Sequence, residues 1–159
     1  MTNPTAAMLV IGDEILSGRT RDSNMYHLAG ELTEAGIDLK EVRVVGDERG
    51  TIIAAVQALS NVHDYVFTSG GIGPTHDDIT ADCIAAAFDR AIDVRDDARA
   101  ILAEHYAKSG TELNSARLRM ARIPDGADLI ENPVSAAPGF RLENVHVMAG
   151  VPSVFQAMV

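Results

Sequence analysis

Residues 6–69 switch repeatedly between two hydrophobic periods, and that alternation limits the chain to very few folds. AAMLVIG (6–12) is a continuous apolar run that stops at a glycine, the pattern of a strand buried on both faces. NMYHLAGELTEAG (24–36) then sets Met25, Leu28, Ala29 and Leu32 on one helical face. Asp22 or Ser23 could cap its start, and Gly36 stands where such a helix should stop. IDLKEVRVVG (37–46) reads as a second strand. TIIAAVQALS (51–60) places Ile52, Val56 and Leu59 on one helical face, and DYVFTS (64–69) reads as a third strand. Strand, helix, strand, helix, strand predicts an α/β domain with a mostly parallel sheet, its right-handed crossovers laying helices on both faces.

The second half is less regular. Helices are expected over about 79–90 and 95–108, with a shorter one over 115–122. Beyond these the chain turns β-rich: AAPGFRLENVHVMAG (136–150) reads as a hairpin, followed by a final helix from about 153. A length of 159 residues without repeat, linker or low-complexity tract predicts one domain over 1–159 with a sizeable core. The chain closes on an apolar helix-like run without a polar tail, so a fragment of a longer protein is expected. Net charge is −10, which argues against bulk electrostatic binding to nucleic acid or anionic membrane but not against a small phosphate-bearing ligand. Cys83 is the only cysteine, so no disulfide framework and no cysteine zinc cluster is expected. Without a bilayer-length apolar run or a basic leader, the reading is a cytoplasmic protein.

The most informative stretch is TSGGIGPTHDDIT (68–80). Gly70, Gly71 and Gly73 let the backbone approach a ligand closely. A helix beginning just beyond would add free N–H groups, with Thr75, Asp77 or Asp78 as its cap. No P-loop is possible, because no lysine occurs between 41 and 107. The dinucleotide fingerprint also fails, since this loop follows the third strand and has His76 where a glycine would be needed. In parallel sheets ligands sit at the carboxyl ends of strands. The loops after Gly12, Gly46 and Ser69 should therefore meet there, bringing Asp13, Glu14, Asp47, Asp77 and Asp78 together. Each has a plain structural role available: Asp13 and Glu14 could cap a helix from Ile15, and Asp47 one from about 49. The conjunction of carboxylates with a glycine anion cradle predicts more. Carboxylates and phosphates repel unless a cation joins them, and Mg²⁺ or a similar divalent metal does so using one or two carboxylates plus substrate phosphates.

Taken in order, GDEILSG (12–18), SN (23–24), VVGDERGTI (44–52), SGGIGPTHDDIT (69–80), NPVSAAPGF (132–140) and AGVPSVFQAM (149–158) resemble the molybdopterin-binding (MoCF) domain family. The nearest subgroup is the N-terminal domain of competence/damage-inducible protein A (CinA). The resemblance covers nearly the whole chain, and SGGIGPTHDDIT is its most specific part. It implies a three-layer α/β/α fold and a homo-oligomer. It implies catalytic roles for Asp47 and Asp78, and a metal site at Asp47, Asp77 and Asp78. Ligand contacts are implied at Gly12, Asp13 and Glu14, at Ser69, Gly70, Gly71, Gly73 and Thr75, and at Gly150, Pro152 and Ser153. The last motif departs from the family, with Ala149 where a proline usually precedes Gly150. No counterpart of the deamidase domain of full CinA proteins is expected within residues 1–159. CinA-type domains are associated with metal-dependent hydrolysis of nucleotide diphosphates such as ADP-ribose, and a related domain of FAD synthases acts on the FAD pyrophosphate. Other branches bind molybdopterin, some adenylylating it. The expected function is therefore binding of a nucleotide diphosphate or pterin phosphate, with metal-dependent hydrolysis of the pyrophosphate bond as the first activity to expect. The alternatives are molybdopterin binding or adenylylation, and a non-catalytic nucleotide-binding module.

Overall fold

The structure, a computed structural model, describes residues 2–134 and 137–158. Residues 135 and 136, inside the NPVSAAPGF segment, lie outside the described residues. The first half runs β1 (Thr5–Ile11), α1 (Asp13–Leu16), α2 (Asn24–Glu34), β2 (Asp38–Val45), α3 (Arg49–Val62) and β3 (Tyr65–Ser69). The second half adds α4 (Thr80–Ala87), β4 (Ile92–Val94), α5 (Asp96–Ser109), α6 (Ser115–Leu118), a 3₁₀ turn (Arg119–Ala121) and β5 (Arg122–Pro124). It ends with β6 (Asp128–Ile130), β7 (Gly139–Leu142), β8 (Val145–Met148) and α7 (Pro152–Met158).

Among the described residues, one sheet takes the order β2–β1–β3–β8–β7–β6. Its first four strands are parallel, and β7 and β6 return antiparallel. The continuous apolar run of β1 is explained by its place inside this sheet. Ala7, Leu9 and Ile11 pack on one face with Ile52, Val56 and Leu59 of α3 and with Cys83 and Ile84 of α4. Ala6, Met8 and Val10 pack on the other with Leu28 and Leu32 of α2 and Phe155 and Met158 of α7. Helices therefore cover both faces, giving three α/β/α layers. At the sheet edge β2 instead alternates between exposed and half-buried residues, as a strand with only one neighbour does. Among the described residues, no helix is long and apolar enough to cross a membrane.

Two local expectations change. Between α4 and α5 the chain forms β4, which pairs antiparallel with β5, Ile92 opposite Pro124 and Val94 opposite Arg122; three-residue strands are too short to show a hydrophobic period. The helix starts also differ. Glu48, not Asp47, precedes α3, and Ile79, not Thr75, Asp77 or Asp78, precedes α4; neither caps with its side chain. Asp47 and Asp78 use their carboxylates elsewhere, as described below. Only at α2 does an expected residue act: Asp22 accepts the N–H groups of Asn24 and Met25 at 3.3 and 3.2 Å.

Candidate functional site

The parallel register aligns the carboxyl ends of four strands. Ile11 lies opposite Val45, Val10 opposite Ser69, and Ser69 opposite Met148. The loops leaving β1, β2, β3 and β8 therefore open at one edge. Gly70 and Gly71 turn the β3 loop there with φ of +100° and +75°, in the left-handed region that favours glycine. The space is as restrictive as the torsion. A Cβ on Gly70 would strike the Ile11 carbonyl oxygen, and one on Gly71 the Thr80 hydroxyl. Gly150 of the β8 loop approaches from the other side, where an added Cβ would stand 3.0 Å from the Gly70 Cα. Thr80, fully buried at the first turn of α4, pins the loop. Its hydroxyl donates to the Gly70 carbonyl and its N–H to the Gly71 carbonyl, each at 3.0 Å. Asn24, buried at the head of α2, donates its side-chain amide to the Gly150 carbonyl at 2.9 Å.

The acidic residues gather beside this loop. Asp13 and Asp47 clasp each other: the Asp13 N–H donates to the Asp47 carboxylate at 3.2 Å, and the Asp47 N–H to the Asp13 carboxylate at 3.0 Å. Asp78 accepts the N–H and the hydroxyl of Thr75 at 2.9 and 2.8 Å, which holds its carboxylate in one orientation. Burial pushes the Asp47 carboxyl above the usual carboxylate range. The Asp13 N–H opposes that shift, and the negative charges of Asp13, Glu14 and Asp78 add to it. Asp77 stands apart, exposed and facing His76 at 3.4 Å.

A cleft in two lobes opens over the loop. Gly71, Ile72, Gly73, Asp78 and Met120 line both lobes. The larger, about 500 Å³, adds Glu14, Gly70 and Asn132, and an apolar wall of Ala149, Val151, Pro152 and Val154. The smaller, about 330 Å³, adds Asp82, Arg119, Arg122 and Phe140. Of the residues expected from the sequence, Glu14, Gly70, Gly71, Gly73, Asp78, Gly150 and Pro152 line the cleft. Ser69 is buried beneath the loop at the end of β3. Gly12 leads into α1, where an added Cβ would collide with the Glu14 carboxylate. Thr75 serves Asp78 from the outer side, and Ser153 is exposed on α7 outside the cleft lining. The sequence reading missed Thr80, Asn24, Met120, Arg119 and Arg122. The one available signal was LRMAR (118–122), two arginines closely spaced in a strongly acidic chain.

Among the described residues, no group of three or more His, Cys, Asp or Glu side chains lies at metal-ligand spacing. The arrangement still fits a divalent cation that takes one or two carboxylates and completes its shell from phosphate and water. The donors are all oxygens, and the Asp47 carboxyl, raised chiefly by its burial, also feels the negative charges of Asp13, Glu14 and Asp78, which a cation would offset.

Comparison with known proteins agrees with this architecture. Residues 7–159 match the family described as probable molybdopterin binding domain. A CinA-like protein of Geobacter metallireducens is 37% identical over 157 residues, covering 96% of this chain and 38% of that one. A probable FAD synthase of Caenorhabditis elegans is 37% identical over 167 residues, covering 93% of this chain and 32% of that one. The crystal structure of CinA from Thermoplasma acidophilum, described as of unknown function, superposes with a TM-score of 0.87 at 35% identity over 98% of this chain and 93% of that chain. The chain spans 32% to 66% of the length of eight curated relatives it matches.

Proposed function

The chain belongs to the probable molybdopterin-binding domain family, on its CinA-like side, and from that premise we propose that it binds a nucleotide diphosphate and, with a divalent metal, hydrolyses the pyrophosphate bond. The observation that carries this reading is the position of the Gly70–Gly73 loop. It lies between two lobes, so a phosphate group held against its backbone leaves room for a substituent on either side. The apolar wall of the larger lobe suits a flat heterocycle, and the smaller lobe sets two arginines among apolar residues. The FAD synthase name of one relative is in keeping with a ligand whose phosphates join two bulky halves.

The proposal assigns a role to each group. The glycine loop holds the phosphates, because only a backbone without side chains can come so close. Asp47 and Asp78 would hold the metal, which when bound offsets phosphate charge and polarises the attacked phosphoryl group. Asp78 also orients the attacking water, its own carboxylate fixed by Thr75. Water adds to one phosphorus, the bond to the bridging oxygen breaks, and two phosphomonoesters leave. Release of phosphate-containing product from ADP-ribose and FAD, with and without Mg²⁺, Mn²⁺ or Co²⁺, tests the reading. Metal-dependent turnover is expected, falling about a hundredfold or more in Asp78→Asn while the circular dichroism spectrum is unchanged. Full activity in that variant would remove Asp78 from the chemistry. The family description favours a second reading, molybdopterin binding or adenylylation. A pterin retained on purification, with no turnover of either dinucleotide, would select it. Tight ADP-ribose binding without metal-stimulated turnover would instead point to a binding module.

A further inference from the structure

Charge around the glycine loop is negative: Glu14, Asp78 and Asp82 line the cleft, and Asp47, outside its lining, feels the charges of Glu14 and Asp78. An anionic ligand must find positive charge here, in a protein whose net charge is −10. Two guanidinium groups line the smaller lobe, and they differ. Arg122 is engaged by Asp82 at 2.7 Å. Among the described residues no carboxylate pairs with Arg119; its Nη1 donates only to the Thr75 carbonyl, at 3.3 Å. The side chain is exposed. It lies on the rim between the smaller lobe and an outer hollow beside Pro74, Thr75 and α6.

The backbone beneath Arg119 is fixed. Ala121, at the end of the same 3₁₀ turn, is fully buried, and its carbonyl accepts the Arg95 N–H at 2.9 Å. Met120, between them, lines both lobes. An exposed, charged head therefore stands on a buried, hydrogen-bonded base at the edge of the anion cradle. Its one bond to a neutral carbonyl at the surface is weak, whereas a phosphate offers charge-assisted, bidentate bonds to the same fork.

We infer that Arg119 is a ligand-contacting residue that binds a phosphate group on the smaller-lobe side of the loop, so that the phosphate lies between the guanidinium and the Gly71–Gly73 backbone. The inference rests on the phosphate-ligand reading above. It makes Arg119 the residue that recruits anions to an otherwise repulsive rim, with Arg122 held back by its own carboxylate.

Titration calorimetry with ADP-ribose on the wild type, Arg119→Gln and Arg119→Lys, at low and high salt, tests it. Gln keeps an N–H donor for the Thr75 carbonyl but removes the charge. The expected result is binding about tenfold weaker in Arg119→Gln, with a shallower salt dependence and an unchanged melting temperature. Arg119→Lys should recover part of the affinity and of the salt dependence. Wild-type affinity in Arg119→Gln would overturn the inference and leave the phosphate reading standing. Equal loss in both variants with a lowered melting temperature would reduce Arg119 to a prop for the Thr75 loop. Absence of ADP-ribose binding by the wild type would overturn both.

Discussion

Burial in the sheet holds the His146 imidazole below its ordinary pKa, and the positive charge of Arg141 adds to the effect. The ring stacks on Phe67 at 4.9 Å and lies 6.2 Å from Tyr65. In the unfolded chain the imidazole takes up its proton near pH 6.5, whereas the folded protein binds it only at lower pH. This contribution to stability is complete above the ordinary value and is lost as pH falls through the window beneath it. Thermal melts across that window should show the wild-type midpoint falling, and His146→Gln should flatten that part of the profile. An unaltered slope in the variant would remove His146 from the account. Asp47 has the opposite sign. Its raised carboxyl holds a proton more tightly when folded, so the group costs stability once pH passes the raised value. A carboxylate buried beside other carboxylates at such a cost is what a functional site displays, and the residue types were legible from the sequence alone. Their clasp was not, because Asp13 and Asp47 are 34 positions apart and meet only when β1 and β2 pair.

At the scale of the element, the β3–α4 connection is a turn secured from below. Thr80 reaches back to the Gly70 carbonyl and its N–H closes onto Gly71, so the loop is shaped before any ligand arrives. Thr80→Val keeps the shape of the side chain and removes the hydroxyl, leaving a buried carbonyl short of its donor. Unfolding in denaturant should show a loss of about 1–2 kcal/mol, and ligand affinity should fall in a protein that remains folded. Stability equal to the wild type would show that the hydroxyl does not hold the loop. The glycines of this loop were legible in the sequence because few other residues adopt its torsions. The start of α4 was not. Thr75, Asp77 and Asp78 all have capping chemistry, and the path of the chain out of β3 decides that Asp78 turns to Thr75 while the helix begins at Thr80.

For the whole molecule, α7 links the core to the cleft. Phe155 is fully buried against the α2 face of the sheet, with His27 meeting it edge-on at 6.4 Å. The residues just before and at the start of α7 form the apolar wall of the larger lobe. Phe155→Ala should therefore cost about 3–5 kcal/mol by denaturant unfolding and should also weaken ligand binding, because the wall loses its support. Binding unchanged in the folded variant would uncouple the two. Alternation of hydrophobic periods from β1 to β3, and the pairing of β7 with β8, were determined by the sequence, since each depends on neighbours within a few turns or one hairpin. That determined the layers, and the layers determined which edge carries the loops. Tertiary structure alone decided the rest. Asn24 reaches Gly150 across 126 positions, Arg122 reaches Asp82 across 40, and Arg119 comes to the rim through the β4–β5 ribbon. Which carboxylates crowd, which are neutralised and which cleft arginine has no carboxylate partner among the described residues depend on distances in space, and local periodicity carries no information about them.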